Sequence, residues 1–389
     1  MGDKNYKGEV VAIYFPSWHP DPHYQSWYGK GFTEWELVKT AKPLFHGHLQ
    51  PKVPEWGYFD ESNPLWAEKQ IDLAADNGIT VFMFDWYWYS GVRFLSSALE
   101  KGFLKADNSN RLKFCVMWAN HTWSAWPAVT GIPGMTGQHI WLPIRHWLED
   151  TEDACNYCCE NYFVKENYWK INGMPVFIIY DISTFTKLSG GKESAYEALQ
   201  RMNDCAKKWG FPGLWFVANI GCCGDNIYCC GWDRVPDAET LGFSAIFAYN
   251  IVRTPDYPDL PESMPVVSYE NVIASHKYAW NKIEEKGLIH FPVVTFGCDV
   301  TPRWHRGVKL PFNFKKLNYE PIVTGNTPEK FGELCRLAIN QSRKNREPRA
   351  IFINAWNEWT EGMYLLPEKK YGTSYLQALK SALQSFENH

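Results

Sequence analysis

The chain has 389 residues, with 39 basic and 43 acidic side chains and a formal charge of -4. No basic block stands out, which excludes the electrostatic footprint of a nucleic-acid binder. The longest apolar runs, such as Ala350 to Ala355 and Pro175 to Tyr180, fall far short of the ~20 residues that cross a bilayer.

Taken in chain order, short apolar, β-branched or aromatic runs alternate with helical patterns. The strand-like runs are Val10 to Phe15, Thr80 to Trp88, Lys113 to Ala119, Pro175 to Asp181, Leu214 to Ile220, Ala245 to Asn250, Phe291 to Asp299 and Ala350 to Trp356. Each is nearly continuous rather than alternating, as strands buried on both faces are. Between them lie helical patterns. Asn63-Pro64 opens one that stops near Gly78; the others are Val92 to Leu104, Asp150 to Phe163, Glu193 to Trp209, Tyr269 to Lys286, Thr327 to Lys344 and Ser374 to Phe386. Only Pro236 to Leu241 reads as helical between the fifth and sixth strands. Thr327-Pro328 has the form of an N-cap followed by proline at the first helical position.

Eight strands alternating with helices predict an α/β fold, a (β/α)8 barrel occupying residues 1–389 as a single domain. An open doubly wound sheet is the alternative, but no Gly-x-Gly-x-x-Gly follows the first strand. The segments Ser17 to Ser62, Asn120 to Glu149 and Cys298 to Gly325 are long loops, each after the C-terminal end of a strand, where barrel enzymes carry their sites.

Aromatic residues make up 16% of the chain, with 20 Trp, 21 Tyr and 23 Phe. A flat apolar face with a hydrogen-bonding edge suits a sugar ring, though any single Trp is more often core. Eleven cysteines include the adjacent pairs Cys158-Cys159, Cys222-Cys223 and Cys229-Cys230. The last two pairs, in one loop, are either a local disulfide or reduced thiols. The start, Met1-Gly2-Asp3-Lys4, carries no signal peptide. The expectation is either a cytoplasmic chain, or a periplasmic or cell-surface one whose export signal has been removed.

Polar and aromatic residues gather at the strand ends: Tyr14, Asp85 to Trp88, Trp118, Asn120, Tyr180, Asp181, Asn219, Tyr249, Asn250, Asp299 and Trp356. The eighth strand runs straight into Asn357-Glu358-Trp359-Thr360-Glu361-Gly362. On a continued strand Glu358 and Glu361 would point to opposite sides; a helical turn after Glu358 would bring both into one cleft. Two nearby carboxylates repel, so one keeps its proton near neutral pH, which is what cleaving a glycosidic bond needs. The competing reading is a pair of solvated loop acids. No catalytic metal is expected, because His19, His23, His46, His48 and His121 show no ligand spacing with a nearby acid. No cofactor is expected either, and no Gly-x-Ser-x-Gly elbow supports a serine nucleophile.

Several segments carry a resemblance. They are Tyr14-Phe15-Pro16-Ser17-Trp18-His19, Gly31-Phe32-Thr33-Glu34-Trp35, Lys42 to Pro51, Trp118-Ala119-Asn120, Ile171 to Val176 and the terminal Asn357 to Gly362. The chain resembles the WbsX-type proteins related to glycoside hydrolase family 99, the endo-α-mannosidases. The resemblance implies a (β/α)8 barrel and retaining hydrolysis of an α-linked, mannose-like sugar. It assigns Glu358 as the base that deprotonates the substrate's own 2-hydroxyl, giving a 1,2-anhydro sugar, and Glu361 as general acid, then base. This differs from ordinary two-carboxylate retention. The chain departs from the pattern at Asn120-His121-Thr122-Trp123 and at Met363-Tyr364-Leu365-Leu366. Tyr14, Trp35, Asp85, Tyr87, Trp118, Asn120, Tyr249, Trp356 and Asn357 are expected to line the sugar site, with His19 and Glu34 at its rim. An oligosaccharide or polysaccharide is the expected partner. A glycosyltransferase of polysaccharide assembly and a non-catalytic sugar-binding barrel are the rival readings. No Asp-x-Asp motif or basic phosphate cradle supports the transferase.

Overall fold

The computed structural model describes residues 6–124, 140–145, 148–221, 231–253, 266–304, 321–345 and 347–384. The cysteine-rich stretch 222–230 lies outside these residues, as does most of the expected loop from Cys298 to Gly325.

Eight parallel strands form the frame. They are β1 (Glu9–Tyr14), β2 (Val81–Tyr89), β3 (Lys113–Trp118), β4 (Met174–Ile179), β5 (Trp215–Asn219), β6 (Ala245–Phe247), β7 in two pieces (Ile289–His290 and Val293–Thr295) and β8 (Ala350–Asn354). Each pairs with its sequence neighbour from β1 to β6. The first piece of β7 pairs with β6, its second piece with β8, and β8 with β1, so the ring closes. Pro292 explains the split: it lacks an N–H for the ladder. Across the break Phe291 N–H still donates to Ile246 O (2.9 Å), and Pro292 O accepts from Phe352 N–H (2.9 Å).

The outer helices follow the expected pattern. Asn63 caps Pro64–Asp76, its side chain accepting from Leu65 N–H, and Thr327 caps Pro328–Arg343 by accepting from Lys330 N–H. The helices Leu148–Cys158, Lys192–Lys208, Tyr269–Glu284 and Ser374–Gln384 complete most of the ring. One expected helix, Val92 to Leu104, is not continuous. Val92–Phe94 turns back as a strand against Tyr87–Tyr89, and only Ala98–Lys105 is helical. The cause is Ser90-Gly91, both at positive φ (48° and 88°), which make a tight two-residue hairpin.

Register tells inside from outside. Residues paired in adjacent parallel strands share a face, and neighbours along a strand alternate. Tyr14 pairs with Phe84, and Trp86 pairs with Trp118. Phe82, on the same face of β2 as Phe84 and Trp86, packs on Trp356 (5.1 Å between ring centroids). That face meets the helices: Trp86 lies against Tyr157 and Tyr162 (6.4 Å each), and Trp356 Nε1–H donates to Gln70 of the helix Pro64–Asp76 (2.9 Å). The opposite face, carrying Met83, Asp85 and Tyr87, looks into the barrel. Deeper inside, Phe352 packs on Phe247 (4.7 Å) and Phe291 (5.4 Å), a dry aromatic layer of the interior.

Candidate active site

The chain leaves β8 at Asn354, pairs briefly at Asn357–Glu358 with Met363–Tyr364, and makes a single 3-10 turn at Trp359–Glu361. Gly362 ends the turn at φ 69°; a Cβ there would stand 2.8 Å from Asp299 Cβ. Only glycine fits such a left-handed position pressed against a neighbour. The turn brings both glutamates to one guanidinium. Arg303 Nη2 lies 3.0 Å from Glu358 Oε1, and Nη1 bonds Glu361 Oε1. Its ring-side support is Phe15, 5.5 Å below the guanidinium carbon.

Arg303 stands on the short helix Thr301–Trp304. Asp299 organises this corner. Its Oδ1 accepts from Thr301 N–H (3.2 Å) and Thr301 Oγ1 (2.6 Å), fixing the start of that helix. Its backbone N–H donates to Glu361 O (2.6 Å), tying the helix to the glutamate turn. Its Oδ2 faces His48 Nε2 (2.9 Å) and accepts from Gln50 Nε2 (2.6 Å). Burial alone would push the Asp299 carboxyl up; His48, Lys52 and Thr301 outweigh it and hold the group below the usual carboxylate range.

Glu34 completes the inner shell. It is fully buried. Oε1 accepts from Ser17 Oγ (3.1 Å) and Tyr24 OH (3.0 Å), and Oε2 from Thr360 Oγ1 (2.6 Å), with Arg303 Nη2 at 3.5 Å. Thr360 Oγ1 also lies 2.9 Å from Glu358 Oε1, so one hydroxyl stands between two carboxylates.

Burial pushes the Glu358 carboxyl well above its usual range; Arg303 and Thr360 pull it down, while Glu361 and Glu34 push it up. Asp85 is raised by burial first and then by Glu361, against the pull of Arg303. Its Oδ1 is buried with no hydrogen-bond partner among the described residues. Tyr87 and Tyr249 are held protonated by burial and by the fields of Asp85 and Glu358. Burial and the neighbouring carboxylates thus favour the protonated forms of Glu358 and Asp85, and Arg303 opposes this at both. Aromatic rings wall it. Tyr249 meets Tyr180 edge-on (5.3 Å), His121 lies 5.8 Å from both Tyr180 and Tyr87, and Trp123 stacks on His121. Burial keeps the His121 imidazole below its usual pKa, with Arg303 acting in the same direction.

The sequence expectations divide accordingly. Glu34, Asp85, Tyr87 and Tyr249 share the hollow with Glu358 and Glu361; Glu34 is buried beneath it rather than at a rim. Tyr14, Trp118 and Trp356 face outward. Tyr14 bonds Glu61 and Gln70, and Trp118 packs on Trp86 with its Nε1–H on Trp88 O. The asparagines brace the backbone where the strand ladders end. Asn120 accepts from Asp181 N–H (2.7 Å) and donates to Asp181 O (2.9 Å). Asn357 does the same with Phe15, at 2.7 and 2.9 Å. His19 is fully buried, Nδ1 facing Glu61 Oε1 at 3.2 Å. Trp35 donates to Phe59 O (2.8 Å) and packs on Trp18. Arg303, Thr360 and His121 are members of the hollow that the sequence reading did not select. A strand-end aspartate, Asp299, just ahead of the helix start Thr301-Pro302 is the available signal for Arg303.

Among the described residues one group offers three metal-ligand atoms, Cys155, Cys159 and Cys205, with sulfurs within 4.8 Å of one another. It sits between the outer helices Leu148–Cys158 and Lys192–Lys208, apart from the carboxylates. Two of its thiols have acceptors: Cys155 donates to Met202 O and Cys205 to Asn156 Oδ1. No helix of the described residues is long and apolar enough to cross a membrane.

The fold has known counterparts. A solved glycoside hydrolase-like protein aligns at TM-score 0.60 and 12% identity, covering 98% of this chain and 95% of that one. The family 99 endo-α-mannosidase of Bacteroides thetaiotaomicron aligns at TM-score 0.54 and 14% identity, covering 98% and 96%. Both share the barrel architecture. In sequence, the uncharacterized protein WxcX of Xanthomonas campestris pv. campestris is 26% identical over 96% of this chain, which spans 49% of that longer protein. The family model described as glycosyltransferase WbsX matches residues 10–379, and the chain belongs to that family.

Proposed function

We propose that this chain is a retaining glycoside hydrolase acting on an α-linked, mannose-like bond in a glycan or polysaccharide. The observation that carries the reading is the meeting of Glu358 and Glu361 at Arg303, with Glu34 and Asp85 adding a surplus of acid to a walled hollow.

In this reading Glu361, the more exposed of the two, protonates the departing glycosidic oxygen. Glu358 takes the proton of the sugar's 2-hydroxyl as that oxygen attacks C1, and a 1,2-anhydro sugar results. Water, losing its proton to Glu361, then attacks C1 and breaks the C1–O2 bond while Glu358 returns its proton to O2, which restores the 2-hydroxyl, both carboxyl groups and the starting configuration. Arg303 and Thr360 favour the ionised form of Glu358 that a base needs, while burial, Glu361 and Glu34 favour the protonated form and keep its pKa well above the usual range. Asp85, kept protonated by its surroundings, is a donor for a sugar hydroxyl or ring oxygen. Tyr249 and Tyr180 supply apolar ring surface for the sugar's C–H face.

The family description favours a second reading, transfer of a sugar from an activated donor. One experiment separates them. The chain is incubated with a panel of α-linked mannose glycans in 18O-water without any nucleotide or lipid-phosphate sugar. Hydrolysis releases a product bearing one 18O at its new reducing end. A product that forms only after an activated donor is added rejects the proposal in favour of transfer, and binding without any product rejects both.

A further inference from the structure

Behind the glutamate turn lies a second hollow, lined by neither of the two glutamates. It measures about 370 Å³ and adjoins a smaller one of about 70 Å³ that shares His48, Leu49, Lys52 and Asn326. A volume near 370 Å³ is at the small end of ligand sites, room for one sugar ring rather than a chain.

Its walls are aromatic: Phe296, Tyr364, Tyr371 and Tyr375. Tyr364 stacks on Trp359 (3.9 Å, 15°), the residue between Glu358 and Thr360, so this wall is the back of the glutamate turn.

The charges here are unevenly used. Lys52, Lys369 and Lys370 line the hollow; Lys370 Nζ lies 4.6 Å over the Tyr371 ring, and none of the three forms an ion pair with a described residue. The two nearby carboxylates are already taken. Asp299 is held by His48, Gln50 and Thr301. Glu368 accepts the backbone N–H groups of Lys370 (2.9 Å) and Tyr371 (2.8 Å). Burial lowers the Lys52 pKa, Lys370 adds to this, and Asp299 and Glu368 partly offset it. A second unspent group points the same way. Gln50 uses its amide N–H on Asp299, while its buried Oε1 has no hydrogen-bond partner among the described residues. A buried carbonyl oxygen without a donor costs roughly 1–3 kcal/mol. A ligand hydroxyl would supply that donor.

We propose that this hollow is a second carbohydrate site, specific for a sugar residue that carries a carboxylate. The carboxylate pairs with Lys52, the ring lies against Tyr364 and Tyr371, and a hydroxyl donates to Gln50 Oε1. A neutral sugar would keep the aromatic contact but leave the ammonium unpaired. Recognition here does not depend on which bond the glutamates cut, or on whether they cut one.

The test titrates the full chain with glucuronate and, separately, with glucose, following binding by saturation-transfer NMR. Glucuronate is expected to bind at least tenfold more tightly than glucose. Lys52→Met should bring the two sugars within twofold of each other, and Lys52→Arg should restore most of the difference. Tyr371→Ala should weaken both. Arg303→Met should leave the preference intact; if the preference disappears in that variant instead, the carboxylate sits in the main hollow and the proposal fails. It fails equally if the wild-type chain binds both sugars alike or binds neither. A Lys52→Met chain that does not fold shifts the decision to Gln50→Leu, which should weaken glucuronate at least threefold; an unchanged affinity there overturns the assignment.

Discussion

Arg303 Nη2 sits 3.0 Å from Glu358 Oε1, and the same guanidinium bonds Glu361, so one buried cation bridges two acids three residues apart in sequence. The pair is therefore neither two independent loop acids nor two bare carboxylates in repulsion. Arg303 sets how much proton the group holds.

Replacing that arginine tests this. In Arg303→Met the cation that lowers the Glu358 pKa is gone, so its pKa moves further up. A base must be ionised to act, so the acidic limb of the pH–activity profile should shift to higher pH by at least one unit. Activity at neutral pH should fall by roughly 10²–10³, the scale of losing one oriented charge in a dry site. The check is kcat/KM against pH for both proteins. An unmoved acidic limb would separate Arg303 from the titration of Glu358.

Gly362→Ala should act at a distance. The added methyl meets Asp299 at a positive-φ position, costing about 1–3 kcal/mol in strain. Asp299 receives the turn through its hydrogen bond to Glu361 O, so the strain displaces Glu361. Thermal unfolding should show the lost stability, and kcat should fall more than KM rises.

The inward and outward strand faces predict opposite phenotypes. Trp118→Phe opens space beneath the helices, so unfolding by urea should show a loss of roughly 1–3 kcal/mol while kcat/KM stays within twofold. Tyr249→Phe keeps the packing and removes a hydroxyl in the hollow. It should leave the urea midpoint nearly unchanged and lower kcat/KM by about 2- to 12-fold, the worth of one neutral hydrogen bond.

That division marks where sequence reasoning reached and where it stopped. The strands and most helices were legible, because a parallel barrel buries both strand faces and its outer helices keep one apolar side. The glutamate turn was legible because a buried strand running into two acids is unusual. The sugar-site residues were only partly so. Selecting every aromatic or amide near a strand end ignored the two-residue alternation that sends Asp85 inward and Trp86 outward. Asn120 and Asn357 misled for another reason: where a ladder ends, an amide side chain is the group best shaped to satisfy both N–H and C=O of the next strand. Arg303 meets Glu34 across 269 residues of sequence, and no local period announces such a contact.

Two buried histidines predict acid sensitivity. Burial lowers His276 to about 4 and His290 to about 3. In the unfolded chain both return to about 6.5, so the unfolded state binds protons more readily. Stability should therefore fall as pH drops below about 6.5, and the loss should level off only near the folded values, at on the order of 3 kcal/mol or more for each. Urea midpoints measured from pH 7 to pH 4.5 should decline, and His290→Leu should decline less steeply. Equal slopes would show that His290 does not govern the transition.

The most direct test of the proposed activity is time-resolved anomeric proton NMR on a natural α-linked mannose glycan, with the wild-type chain and with Glu361→Gln. The first product formed by the wild type should carry the α configuration of the substrate, and the variant, folded by circular dichroism, should turn over at least 10³-fold more slowly. A β-anomer appearing first, or wild-type turnover by Glu361→Gln, would contradict the account.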